Sequence, residues 1–89
     1  MTLNWKEKID ETTRMPEWTI GDDKAHMIIF WSTLAKKYFV YIEIHHQTVF
    51  FSKEGHDTPA EAEKEAVTQW KDILEEINYL NDLIKETNT

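Results

Sequence analysis

Ala25-His26-Met27-Ile28-Ile29-Phe30-Trp31-Ser32 and Tyr38-Phe39-Val40-Tyr41-Ile42-Glu43-Ile44-His45 are two runs of β-branched and aromatic residues, separated by the turn-like stretch Thr33 to Lys37. Such runs fit pleated, half-buried strands, and the spacer is short enough to close a hairpin. A turn near Ala35-Lys36 sets Trp31 opposite Val40, Ile29 opposite Ile42 and Met27 opposite Ile44. A second turn at His46-Gln47 lays Thr48 to Ser52 back on the same strand, with Val49 beside Ile44 and Phe51 beside Ile42. Both hairpins then share one apolar face, made of Met27, Ile29, Trp31, Tyr38, Val40, Ile42, Ile44, Val49 and Phe51. Because side chains alternate along a strand, a slip of one residue in either hairpin would scatter that set.

Working outward, Glu17 to Ile20 reads as a further strand, joined to Ala25 by Gly21-Asp22-Asp23-Lys24. Thr2 to Arg14 reads as a short helix: Thr2 can cap it, Leu3, Trp5 and Ile9 make one apolar side, and Pro16 stops it. On the other flank, Thr58-Pro59-Ala60-Glu61 has a capping hydroxyl, a proline suited to the first helical position and a glutamate three residues beyond the cap. The helix it opens is expected to run to about Glu86. Its apolar stripe is Ala66, Trp70, Ile73, Ile77, Leu80 and Ile84, widened by Val67, Leu74 and Leu83. At 1.5 Å per residue such a helix is about 42 Å long, against about 17 to 27 Å for the strands, so it overshoots the sheet. The expected fold is α+β in one domain, residues 1–89: a short helix, a three- to four-stranded antiparallel meander, and a long amphipathic helix on one sheet face.

The chain has 89 residues, 17 acids, 10 bases, two glycines and no cysteine, with a net charge of −7. Residues 53–89 carry a net −6 of that and residues 1–52 only −1, so the acidity belongs to the C-terminal third of the chain. Without cysteine there is no thiolate catalysis, disulfide or cysteine-ligated metal. Gly21 and Gly55 alone cannot build a phosphate-cradling loop. The bases are few and interleaved with acids, which argues against direct nucleic-acid binding. No apolar run approaches the roughly 18 residues of a membrane span, and the charged N-terminus lacks a secretory core. The expectation is a cytoplasmic protein with no membrane association, no cofactor and no catalytic or metal site.

Three surfaces remain as candidates. The second sheet face is expected to carry His26, Ile28, Phe30, Phe39, Tyr41, Glu43, His45 and Phe50. Its aromatic members Phe30, Phe39, Tyr41 and Phe50 are either covered by the N-terminal helix or form a partner-binding surface. In the register above His26 lies opposite His45 with Glu43 nearby, chemistry that suits zinc or proton exchange, but a third firm ligand is missing. The second surface is an acidic stripe on the long helix, Glu61, Glu65, Asp72, Glu75, Asp82 and Glu86, about 150° around from the apolar stripe and suited to competing for a basic groove. The third is the overshooting end of the helix, where Ile73, Ile77, Leu80 and Ile84 are expected to pair with a second copy of the chain.

The strands followed by Glu54-Gly55-His56-Asp57-Thr58-Pro59-Ala60-Glu61-Ala62 and a helix resemble the hairpin-to-helix junction of HicB-type antitoxins and other small phage or mobile-element proteins, over a little more than a third of the chain. The Pro-Gly-Cys stretch usual between the HicB strands is missing and no DNA-binding tail follows, so antitoxin function is not carried over. The expected function is that of a small acidic, non-enzymatic protein-binding module. A phage or mobile-element accessory factor that inhibits a host protein, by mimicking nucleic-acid charge, fits the size and acidity. A homo-oligomer whose only partner is itself is the competing reading.

Overall fold

The two apolar runs form the centre of a five-stranded antiparallel sheet in strict sequence order, β1(Lys6–Ile9), β2(Pro16–Gly21), β3(Ala25–Ser32), β4(Lys37–Ile44) and β5(Gln47–Phe51), followed by one helix, α1(Pro59–Thr87). The structure is a computed structural model and describes residues 1–87. The helix lies across β4 and β3. Its cap is the expected one, with the Glu61 amide donating to Thr58 Oγ1 at 3.2 Å. Ala62 and Ala66 are fully buried and let the helix backbone come close to the sheet, over a core of Met27, Ile29, Val40 and Ile42. Trp70 and Ile73 pack partly against this core. Among the described residues no helix is long and apolar enough to cross a membrane.

The central hairpin pairs Ile29 with Val40, Met27 with Ile42 and Trp31 with Tyr38, two residues away from the expected register. Its loop is longer than a tight turn: Lys36 takes a positive φ of 55° and its amide donates to the Ser32 carbonyl. A slip of two preserves the alternation, so every residue of β3 and β4 keeps its expected face. His26 consequently faces Glu43 and not His45. His45 and His46 instead form the turn to β5, both with positive φ, the signature of a type I′ hairpin.

β5 departs further. Ile44 pairs with Gln47 and Glu43 with Thr48, but Ile42 pairs with Phe50 and Tyr41 with Phe51, leaving Val49 as an extra residue in a β-bulge. The bulge reverses the alternation. Phe50 therefore sits on the helix side, packed against the core, and Phe51 sits on the open side, the opposite of the expected assignment.

The expected N-terminal helix is a strand. Asp10 Oδ1 accepts from the amides of Thr12 and Thr13, Arg14 adopts a φ of 60° and donates to the Asp10 carbonyl, and this tight reversal pairs Lys6–Ile9 with Pro16–Thr19. A helix from Thr2 to Arg14 would have offered only a weak apolar side. The strand alternative also lets residues 2–5 reach the long helix. There the Glu63 carboxylate accepts from the amides of Thr2 and Leu3, both at 2.9 Å, from Thr2 Oγ1 at 3.1 Å and from Trp5 Nε1 at 2.6 Å. Trp5 thereby packs against the core from the helix side.

Ile42 is wholly enclosed, so Ile42→Ala should lower the unfolding free energy by about 2–5 kcal/mol in urea denaturation. Glu63 supplies a pH signature. Burial alone would raise its pKa, but the Thr2 and Leu3 amides, the Trp5 indole and the Thr2 hydroxyl overcome that and hold the carboxyl at about 2, against an ordinary 4.5. A depressed carboxyl stabilises the fold in full above its ordinary value, and that contribution is lost as the pH falls through about 4.5 toward 2. The expected loss through this group is about 1–2 kcal/mol after solvent screening. Glu63→Gln should remove it, so the stability gap between the two proteins measured at pH 6 should narrow at pH 2.5. An unchanged gap would rule out the ionic clasp.

Candidate functional site

Nothing from the N-terminus reaches the open face of the sheet, because Glu63 holds residues 2–5 on the helix side. Phe30 of β3, Phe39 and Tyr41 of β4 and Phe51 of β5 form a continuous cluster there. Phe30 touches the other three rings with centroids 5.7–6.1 Å apart, and Phe51 stacks on Tyr41 at 6.2 Å with the planes 9° apart. These are the separations at which offset and edge-to-face rings attract. Phe51 is nevertheless 52% exposed, and beside it Phe30, Ser32, Phe39 and Phe51 line a shallow hollow of about 150 Å³. Antiparallel sheets normally turn a polar face to water, so an apolar patch across three strands departs from that pattern.

The surroundings of the cluster carry both signs of charge. By register Lys6 and Lys8 of β1, Glu17 of β2 and Lys37 and Glu43 of β4 point to the same side. Lys37 is bound to Asp57, while His26 Nε2 approaches Glu43 Oε2 at 3.4 Å and its Nδ1 lies 3.0 Å from the Asp22 carbonyl. Burial, then the charges of Glu43 and Glu17, push the Tyr41 hydroxyl above its ordinary value, so the patch carries no charge of its own near neutral pH. His26 and Glu43 are neighbours as expected, but His45 is in the turn and does not join them. Among the described residues no group of three or more His, Asp or Glu side chains is arranged to hold a metal ion.

The acidic stripe is interrupted. Glu65 is half-buried and accepts from Ser52 Oγ at 2.5 Å and lies 3.0 Å from His56 Nε2, tying the start of the helix to the end of the sheet. Ser52 in turn accepts from the Val40 amide at 2.8 Å. Glu61, Asp72, Glu75 and Asp82 are exposed, and the Glu86 side chain lies outside the described residues. Of the helix residues expected to self-associate, Ile73 is partly packed on the core, Ile77 and Leu80 are exposed, and the Ile84 side chain is likewise outside the described ones.

Sequence reasoning missed Phe51, Glu63 and His56. Glu63 had a readable signal, since it interrupts the side of the helix that carries Ala62 and Ala66. Phe51 and His56 had none, because one depends on a bulge and the other on where a loop returns. No family model matches this sequence, no curated protein is detectably similar to it, and no solved structure matches it. The resemblance at Glu54 to Ala62 thus rests on helix-start residues alone.

The bulge makes adjacent phenylalanines behave differently. Phe50→Ala should cost about 2–3 kcal/mol because it opens the core, whereas Phe51→Ala should cost less than about 1 kcal/mol. Thermal or urea denaturation distinguishes them, and equal losses would put both rings in the core.

Proposed function

We propose that this chain is a non-catalytic protein-binding module whose contact surface is the open aromatic face of the sheet. One observation carries the reading: Phe30, Phe39, Tyr41 and Phe51 form a connected apolar cluster on the face away from the helix, its edge at Phe39 flanked by the loop at Gly55 and Asp57 and its Phe51 ring 52% exposed. Aromatic anchors on rigid strands lose little side-chain freedom on binding, and a rim of mixed charge around an apolar centre is the usual anatomy of a protein interface. The partner that fits presents apolar side chains, one of which enters the hollow beside Phe51. A protein suits this surface better than a nucleic acid: the net charge is −7, and Lys37, on the same face, is already paired with Asp57.

The exposed acids Glu61, Asp72, Glu75 and Asp82 support a second reading, competition for a basic groove. Salt separates the two, because exposed charges are screened within about 8 Å at physiological ionic strength while apolar contacts are not. A photo-crosslinking residue at Phe51 should capture a partner in the expressing cells, and one at Glu61 should not. Capture should survive about 0.5 M salt and should be lost in Phe39→Ser, whose fold is checked against the wild type by circular dichroism. Capture from Glu61 alone, abolished by salt and by charge reversal at Asp72, Glu75 and Asp82, would overturn the aromatic reading in favour of the acidic one.

A further inference from the structure

Residues 2–9 are held to the rest of the chain by little buried surface. Thr2, Leu3, Asn4 and all four residues of β1 are exposed, and in this whole segment only Trp5 is partly buried against the core. β1 lies at the sheet edge, beside β2 alone. Continued by one residue, its register on β2 sets Trp5 beside Ile20, on the helix side and outside the track of α1 over β4 and β3. Among the described residues, the hydrogen bonds that tie the strap of Thr2 to Trp5 to another element converge on one carboxylate: the Thr2 and Leu3 amides, the Thr2 hydroxyl and the Trp5 indole all donate to Glu63. Segments with few buried apolar contacts open at free energies well below that of global unfolding. One ring and one ionisable group therefore decide whether this strap is closed.

We infer that the Thr2 to Trp5 strap is an acid-sensitive latch, which opens by release from Glu63 while the sheet and α1 stay folded, and thereby uncovers the apolar surface around Ile20. A carboxylate accepts all four bonds, whereas one proton removes the charge on which they converge and turns an acceptor oxygen into a donor. A hollow of about 400 Å³, lined by Thr2, Glu63, Lys64, Val67 and Thr68, lies beside the clasp and gives water a way to the carboxyl group. The charged groups around it are few: Lys64 follows it in α1, and Lys6 and Glu7 stand where the strap enters β1, while Pro59, Ala60, Ala66 and Val67, one turn away on α1, carry no charge. The clasp therefore holds in full above the ordinary carboxyl value of 4.5 and weakens as the pH falls from there toward about 2. The strap lies on the helix side of the sheet, so this inference does not depend on the proposed function.

Hydrogen exchange of the full chain, followed by NMR and corrected for the intrinsic rate of each group, tests it. Between about pH 6 and pH 3 the Thr2 and Leu3 amides and the Trp5 indole should lose protection at least about tenfold, while the amides of β3 and β4 keep theirs. Glu63→Gln should show the low strap protection already at about pH 6, with no further fall on acidification. A strap that exchanges only together with β3 and β4 at both pH values overturns the inference, because it then opens only when the whole chain unfolds. An acid-induced loss of the same size in Glu63→Gln overturns it too, since another group would then be the trigger. So does a Glu63→Gln chain in which β3 and β4 lose protection along with the strap.

Discussion

One helix has to serve a five-stranded sheet. A helix is about 10–12 Å across, whereas five strands spaced about 4.8 Å apart are about 19 Å wide between their outer axes. A single helix therefore cannot cover even one face from edge to edge, and this mismatch governs the rest of the molecule. The helix takes the middle, over β4 and β3, where Ala62 and Ala66 permit close approach. The remainder of that face is filled by large rings: Trp18 meets Tyr38 at 6.0 Å, Tyr38 meets Trp31 at 4.9 Å, and Trp5 comes in along the N-terminal segment. The Glu63 clasp converts that segment from a loose end into part of the covering layer. On the other face only the loop at Gly55 and Asp57 comes in, beside Lys37 and Phe39, and the Phe51 side of the aromatic cluster stands open as a consequence.

The two edges of the sheet are handled differently. β1 presents Lys6, Glu7 and Lys8, a charged edge that discourages pairing with another strand. β5 has no such charges and relies on the Val49 bulge to break the regular row of free amides. That same bulge moves Phe51 into the aromatic cluster. One extra residue thus both blunts an edge and completes a surface.

Much of this fold was legible in the sequence because it rested on patterns that tolerate error. The central hairpin was two residues out of register, yet Ile29, Val40 and Ile42 still fell on the core side, because an even slip preserves alternation. The helix start was legible from Thr58 and Pro59, where capping chemistry is local. Features decided by partners distant in sequence were not. Lys6–Ile9 is a strand because Pro16–Thr19 is available to pair with it, and Trp5 points to the helix side because Glu63 lies some sixty residues away in the chain. The acidic stripe followed helical periodicity correctly, but periodicity could not say that Ser52 and His56 would fold back onto Glu65. Three of the four rings of the open-face cluster, Phe30, Phe39 and Tyr41, were placed on that face from alternation, and the fourth was displaced by one residue, Phe51 for Phe50, because a bulge has no compositional signature.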